Sequence, residues 1–147
     1  MQLYSKVGPA WWAIAAAGLV CALIASSSPA LRAQGKTAKD AVYSPAQAKR
    51  GEALYQEQCA SCHSADLSGG GAPALAGGDF LASWDKTPLA DVVTKITLTM
   101  PASAPGSINR EQATDIATYV LQANKFPAGD ADLASDEATL KAIAIVK

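Results

Sequence analysis

Hydrophobic residues recur at helical spacing in three segments of the chain, and no segment alternates over a useful length as a strand would. The first predicted helix runs from Pro45 to Gln58. Ser44 supplies an N-cap, Pro45 occupies the first helical position, and Gln47 completes the pattern of a capping box. Helical spacing gives this segment a buried face made of Ala48, Gly51, Leu54 and Tyr55.

The second predicted helix follows Thr87 and Pro88, which again place a capping residue before a proline, and it ends near Leu98. Its apolar positions follow the helical period: Leu89, Val92, Val93 and Ile96. The third predicted helix begins after Asn109, with Gln112 in the capping box, and stops at Asn124. Its predicted buried face consists of Ala113, Ile116, Ala117, Val120 and Leu121.

Shorter segments complete this helical pattern. A short helix is predicted around Asp79 to Trp84, and another follows Ser135 as its cap. The Gly-rich stretch from Ser68 to Gly78 cannot form regular structure and is predicted to be a loop. The sequence therefore predicts an all-α fold with three main helices, in a single domain over residues 44–147.

The N-terminal residues do not read as part of this domain. Lys6 is followed by an uncharged apolar run over Val7 to Ala25 and by small residues before Ala30, the pattern of a secretory signal peptide over residues 1–30. The run is also long enough to span a bilayer, for which about 18 apolar residues suffice. A cleaved signal peptide and an uncleaved membrane anchor both stay open. Residues 31–43, polar and small, predict a flexible lead-in.

Cys59, Cys62 and His63 form the sequence Cys-x-x-Cys-His, which is the attachment sequence of a c-type haem. Thiols at this spacing add to the two haem vinyl groups, and the histidine that follows becomes the proximal ligand of the iron. A thioredoxin-like redox pair would be expected beside a βαβ pattern, and a closed zinc site needs four ligands. Neither alternative fits this chain, so the motif predicts one covalently bound haem c.

The rest of the ligand inventory is small. His63 is the only histidine, which excludes a second attached haem and bis-histidine ligation in this chain. Apart from the initiator, the only methionine is Met100, which precedes Pro101 in a predicted loop. A lone methionine more often fills a core, but loops held by a scaffold often carry function. We predict that Met100 is the distal ligand, so that His63 and Met100 leave no open position on the iron.

Charge narrows the choice of partners. The formal net charge is −1 and no basic patch appears, so nucleic acid is not a predicted partner. From Cys59 to Trp84 the only charged residues are Asp66 and Asp79, and residues 99–109 carry no charge. Both segments are expected to surround the exposed haem edge. The predicted docking face is therefore apolar and faintly acidic.

From Pro45 to Phe126 the sequence resembles the class I c-type cytochromes. Gly51 and Tyr55 stand where that family has a glycine and an aromatic residue in contact with the last helix. Ile116 and Tyr119 resemble the residues of that helix which the family packs against them. The resemblance implies a cytochrome c-like fold, in which three main helices and loops surround one covalently bound haem.

The same resemblance extends to the haem ligands. Pro73 resembles the family proline whose carbonyl accepts a hydrogen bond from the proximal histidine, and Met100 with Pro101 matches the distal-ligand position. A plain loop turn is the alternative for Pro73. For Trp84, a hydrogen bond from the indole to a haem propionate and a plain core position both stay open.

A narrower resemblance links residues 67–70, 80–84, 100–107 and 119–129 to the cytochrome domains and companion cytochromes of pyrroloquinoline-quinone-dependent alcohol dehydrogenases. No quinoprotein propeller is present in this chain, so the dehydrogenase would be a separate polypeptide. The resemblance implies a periplasmic electron carrier. Its donor would be such a dehydrogenase or a similar one, and its acceptor an oxidase or another cytochrome of the respiratory chain.

Other function classes fit the sequence less well. A haem enzyme, such as a peroxidase or a sulfur-compound oxidoreductase, would need an open or displaceable distal ligand and a second functional group. This chain offers no distal cluster of histidine or arginine. We predict an electron carrier and not an enzyme. The alternatives are a haem subunit of a multi-subunit oxidoreductase and a haem enzyme or sensor with a displaceable distal ligand. Contact with a membrane is expected only if the N-terminal segment stays uncleaved.

Overall fold

The computed structural model describes residues 35–147; the predicted signal peptide or anchor, residues 1–30, lies outside them. Six helices follow one another in this part of the chain: α1 (Pro45–Gln58), α2 (Ala60–His63), α3 (Gly78–Trp84), α4 (Leu89–Thr99), α5 (Arg110–Ala123) and α6 (Glu137–Lys141). None of the helices in residues 35–147 is long and apolar enough to cross a membrane. The prediction of an all-α fold is confirmed, and the three longest helices are the three predicted.

The crossing of α1 and α5 is the most extensive contact between two helices in residues 35–147. A Cβ atom added to Gly51 in α1 would lie 1.8 Å from the carbonyl oxygen of Asp115 and 3.0 Å from the nitrogen of Ile116 in α5. One turn further along, the rings of Tyr55 and Tyr119 have their centroids 5.3 Å apart. Only glycine allows two helix backbones to approach this closely, so Gly51 sets the crossing point.

The N-terminus of α1 is capped differently from the prediction. Ser44 Oγ accepts a hydrogen bond from Gln47 N at 3.0 Å, as expected of the N-cap. The Gln47 side chain does not return to Ser44: its Nε2 donates to Leu133 O at 3.0 Å, and its Oε1 accepts from Leu133 N at 2.7 Å. A buried amide must satisfy both of its polar atoms, and this backbone offers a donor and an acceptor together. Only half of the predicted capping box is present.

The predicted caps of α4 and α6 are wrong by one residue each. Thr87 does not cap α4, because its carbonyl accepts from Ile145 N at 2.9 Å and the chain stays extended through Pro88. At α6 the cap is Asp136, whose carboxylate accepts from Thr139 N at 2.9 Å, in place of Ser135. The predicted capping box of α5 between Asn109 and Gln112 is confirmed.

Residues 36–43 are packed into the domain, so the predicted flexible lead-in over 31–43 is wrong for this stretch. The two-residue strand β1 (Lys36–Thr37) pairs in parallel with β2 (Ile143–Ala144). Tyr43 is fully buried, and its hydroxyl donates to the carbonyl of Phe126 at 2.7 Å. Ordering this segment costs conformational entropy. Backbone pairing with the C-terminal residues and burial of the Tyr43 ring stabilise it enough to offset that cost.

The hydrophobic core lies between α1, α4 and α5. The buried face predicted for α5 is confirmed at all five positions, whereas Leu54 of the face predicted for α1 is only partly buried. Core residues from outside the three main helices seal the ends of the bundle: Ala38, Tyr43, Leu67, Phe80, Ile108, Phe126, Leu133, Leu140, Ile143 and Ile145. On the side of α2 and α3 this core opens into a cavity, which contains the candidate site.

We expect the substitution Gly51→Ala to destabilise the protein, because the new methyl group would meet the rigid backbone of α5. Overpacking of this kind costs about 1–3 kcal/mol in the free energy of unfolding, more than alanine gains in helix propensity. The matched control is Gly78→Ala in α3, where an added Cβ meets nothing within 4 Å. Chemical denaturation of both variants measures the difference. Equal stability of Gly51→Ala and the wild type would contradict this account of the crossing.

Candidate haem site

The end of α1 and the short helix α2 place the Cys-x-x-Cys-His residues in one tight turn. Cys59 is the C-cap of α1, with its N–H donating to Tyr55 O at 2.9 Å. Its own carbonyl accepts hydrogen bonds from Cys62 N at 3.1 Å and from His63 N at 3.0 Å. Both cysteines are free thiols, Cys59 partly buried and Cys62 exposed, while His63 is buried. The motif is thus a rigid continuation of α1.

Pro73 fixes the tautomer of His63. The Nδ1 atom of His63 lies 2.7 Å from the carbonyl oxygen of Pro73. A carbonyl oxygen can only accept, so Nδ1 carries the proton and donates it. The other ring nitrogen, Nε2, then keeps its lone pair and is the atom able to bind a metal.

The loop between α2 and α3 is held against the motif by backbone hydrogen bonds. Gly69 N donates to His63 O at 3.1 Å, and Ala72 N donates to Cys62 O at 3.0 Å. The hydroxyl of Tyr55 reaches from α1 to the carbonyl of Ser64 at 2.6 Å. Although this loop has no regular structure, its part from Ser64 to Ala72 is tied to α1 and α2. Pro73 is therefore carried on a fixed segment.

A cavity of about 570 Å³ adjoins the motif, within the range of roughly 300–1,000 Å³ that is typical of ligand sites. All six residues predicted for the site contribute to its lining: Cys59, Cys62, His63, Pro73, Trp84 and Met100. Its walls are mostly apolar side chains from α3, α4, α5 and the loop: Leu75, Phe80, Val92, Ile96, Ile116 and Val120. The cavity has the size and the apolar lining that a haem requires.

Met100 reaches the cavity from the end of α4. It is the C-cap of this helix, its N–H donates to Ile96 O at 3.1 Å, and its side chain is partly buried. The predicted loop position of Met100 is thus the first residue after α4. The fold brings the imidazole of His63 and the thioether of Met100 to one cavity from two separate elements. These are the two side-chain types of a His/Met iron site.

Trp84 ends α3 and is partly buried. Its ring packs against Phe80 with a centroid distance of 6.3 Å, and both rings line the cavity. Within residues 35–147 its indole nitrogen makes no hydrogen bond to the protein. The structure therefore places Trp84 at the site and leaves both predicted roles open.

The electrostatics of Cys59 distinguish this motif from a reactive redox pair. Burial, and next the neighbouring Cys62, raises the pKa of the Cys59 thiol. The attacking cysteine of a thioredoxin-like pair has instead a lowered pKa. Within the described residues, no cluster of three or more His, Cys, Asp and Glu side chains is able to hold a metal ion. Neither a redox dithiol nor a zinc site has support here.

Lys95 belongs to the site although the sequence did not point to it. It is the only charged residue among those lining the cavity within residues 35–147. Its position in α4, three residues after Val92 and one before Ile96, was the available signal. When the apolar stripe of a helix faces a cavity, the residues that flank this stripe lie at the edge of the cavity.

The helical fold and this site define a mono-haem c-type cytochrome. Residues 46–120 match the family model described as cytochrome c oxidase, cbb3-type, subunit III, and the chain belongs to this family of c-type cytochrome domains. Covalently bound haem c follows from that membership together with Cys59 and Cys62. The resemblance to c-type cytochromes, and the cytochrome c-like fold that it implied, are confirmed.

A solved structure shows the same fold. The chain is similar to one in the crystal structure of the sulfane dehydrogenase SoxCD from Paracoccus pantotrophus, with 22% identity and a TM-score of 0.51. The match covers 72% of this chain and 61% of that chain, so this chain spans less than two thirds of the length of the other. A comparison with curated proteins found no match.

Removing the hydroxyl of Tyr55 is expected to loosen the residue that follows His63. Burial, and to a lesser degree nearby Cys59, Tyr119 and Asp66, raises the pKa of Tyr55 to about 12. The hydroxyl is thus protonated at neutral pH and able to donate to Ser64 O. Tyr55→Phe should cost about 1 kcal/mol in the free energy of unfolding, the typical worth of one hydrogen bond.

Tyr119→Phe is the matched control for Tyr55→Phe. The Tyr119 ring touches that of Tyr55, yet within the described residues its hydroxyl makes no hydrogen bond. We expect a change of no more than about 0.5 kcal/mol for this control. Urea denaturation of the two holoproteins tests the pair. Equal effects of both substitutions would refute a specific role of the Tyr55 hydroxyl.

Proposed function

We propose that the chain is a one-electron carrier whose haem is bound through Cys59 and Cys62, with His63 as proximal and Met100 as distal iron ligand. One observation carries the proposal: all four side chains line the same apolar cavity. The hydrogen bond from His63 Nδ1 to Pro73 O supports the assignment of Nε2 as the ligand atom. With His63 and Met100 as ligands, no position on the iron would stay open, so the site would suit electron transfer better than substrate binding.

When bound, the haem takes up and gives back one electron at its iron. The protein's own residues hold this centre and tune it. Pro73 fixes the plane of the imidazole and increases its basicity toward the iron. The apolar walls from α3, α4 and α5 exclude water, and burial of this kind is one of the levers that set a reduction potential. We assign Trp84 to this wall, with its free indole N–H available to a haem propionate.

We infer a periplasmic carrier that accepts electrons from a quinoprotein dehydrogenase, or a similar dehydrogenase, and passes them to the respiratory chain. Support for the donor comes from the sequence segments similar to companion cytochromes of such enzymes. Support for export comes from the signal-like pattern of residues 1–30 and from the haem itself, because c-type haems are attached outside the bacterial cytoplasm. The acceptor would be an oxidase or another cytochrome.

A second candidate is a haem subunit within a multi-subunit oxidoreductase. Two comparisons favour it: the family model is described as an oxidase subunit, and the similar solved structure is that of a dehydrogenase. Electron transfer through the same site is common to both candidates. Size-exclusion chromatography of the native protein from its source distinguishes them, since a carrier elutes at about its own mass of 15.0 kDa or less and a subunit elutes with its complex.

We expect Met100→Ala to abolish the weak long-wavelength absorption band of ferric haem with methionine ligation, because no other methionine lies in residues 35–147. The matched control is Leu98→Ala, two residues earlier in α4, where the side chain is 64% exposed and does not line the cavity. That variant should keep the band. Absence of the band from the wild type would overturn the assignment of Met100.

Carbon monoxide separates the carrier from the haem enzyme or sensor. With Met100 bound, the reduced wild type should bind carbon monoxide slowly or not at all at neutral pH, whereas Met100→Ala should bind it rapidly. Stopped-flow spectroscopy measures both rates. Rapid binding by the wild type would favour a displaceable distal ligand and the alternative functions.

The rate of electron exchange with a purified quinoprotein alcohol dehydrogenase is expected to depend weakly on ionic strength. The loop segments beside the cavity carry no Lys or Arg, and Lys95 alone among the charged side chains reaches the lining. Strong electrostatic steering changes association rates by about 10- to 1,000-fold. Here we expect a change of less than about threefold between low and physiological salt. A steep fall of the bimolecular rate with salt would contradict a docking face with so few charges.

A further inference from the structure

The side chain of Asn124 joins the end of α5 to the loop that carries Pro73. Its Oδ1 accepts a hydrogen bond from Gly77 N at 2.9 Å. Its Nδ2 donates to Leu75 O at 2.9 Å and to Val120 O at 2.8 Å. Both donors and the acceptor of the amide are therefore used, and two of the three bonds leave the helix.

These bonds exceed what the end of a helix requires. Only the bond to Val120 satisfies a carbonyl of α5 itself. The other two pair with the backbone of residues 75 and 77 as a neighbouring strand would, with one donor and one acceptor. Asn124, the C-cap of α5, thus holds the loop through its side chain.

The segment from Leu75, which Asn124 anchors, to Pro73 is short, and the Pro73 carbonyl binds His63, the proposed haem ligand. Leu75 is two residues from Pro73, whose carbonyl holds His63 Nδ1 at 2.7 Å. Leu75 is also tied on its other side, because its N–H donates to Leu67 O at 2.9 Å. With Leu75 fixed only two residues away, the Pro73 carbonyl has little freedom to move.

The same amide fixes the start of α3. Gly77, whose N–H it binds, has a φ of +87° and immediately precedes this helix. Phe80 and Trp84 of α3 line the cavity. One side chain therefore positions the loop on both sides of the bend at Gly77.

We propose that Asn124 is a positioning residue that holds the Pro73 carbonyl against His63 Nδ1 and thereby sets the basicity of the proximal ligand. The inference rests on the proposed function, in which His63 binds the haem iron. A carbonyl that drifts away from Nδ1 leaves the imidazole a weaker donor to ferric iron. Loss of Asn124 then exposes Nδ1–H to exchange with solvent and raises the reduction potential.

The test compares Asn124→Ala with Asn109→Ala in the holoprotein. Asn109 is the N-cap at the other end of α5, and its amide binds Gln112 N and not the loop. NMR measures solvent exchange of the His63 Nδ1–H, and redox titration gives the potential. In Asn124→Ala we expect exchange about tenfold faster, as for the loss of one or two hydrogen bonds, and a higher potential. In Asn109→Ala both should equal the wild type, although global stability falls.

Asn124→Asp keeps the test valid if the alanine variant does not fold. The carboxylate has the same shape and still accepts from Gly77 N, but it has no proton to donate to Leu75 or Val120. It should also speed the exchange of the His63 Nδ1–H. Wild-type exchange in the Asn124 variants, or equally fast exchange in Asn109→Ala, would overturn the positioning role. A wild type without histidine-ligated haem would instead refute the proposed function.

Discussion

The close approach of α1 and α5 at Gly51 is the constraint on which the rest of the structure depends. Because the two backbones are in contact, the direction of α1 is fixed, and so is the position of Cys59 at its C-terminal end. The same crossing directs α5 along the cavity, where Ile116 and Val120 form part of the wall and Asn124 meets the loop. One glycine therefore couples the covalent attachment points of the haem to the apolar wall opposite.

The loop from 64 to 77 shows how a segment without regular structure becomes as defined as a helix. Its polar backbone groups are paired with the motif, with Tyr55 and with Asn124. Each of these partners stands on α1, α2 or α5, so the loop inherits the rigidity of the helices. Since His63, the proposed proximal ligand, is oriented by the Pro73 carbonyl of this loop, the geometry of the proposed iron site depends on these hydrogen bonds as much as on the ligand side chains.

Much of the fold was predictable because its signals are local. Caps within four residues and apolar stripes at helical spacing located α1 and α5 to the residue and α4 to within one. The attachment motif is likewise five contiguous residues, which is why its chemistry was readable without a structure. Local signals fail where a distant backbone competes for the same group. Leu133, 86 positions away, takes the Gln47 amide from the predicted capping box, and Ile145 takes the carbonyl of Thr87.

Most of the features that the sequence did not disclose are long-range pairings of polar groups. Nothing near Asn124 indicates that its amide meets residues almost fifty positions earlier, and a plain helix stop accounts for the residue locally. Residues 36–43 look polar and mobile until the strand at Ile143 is known to lie beside them. In a small domain whose core opens into a cavity, the apolar walls alone do not specify one arrangement of the loops. The polar pairs do so, and they therefore set the positions of the proposed iron ligands.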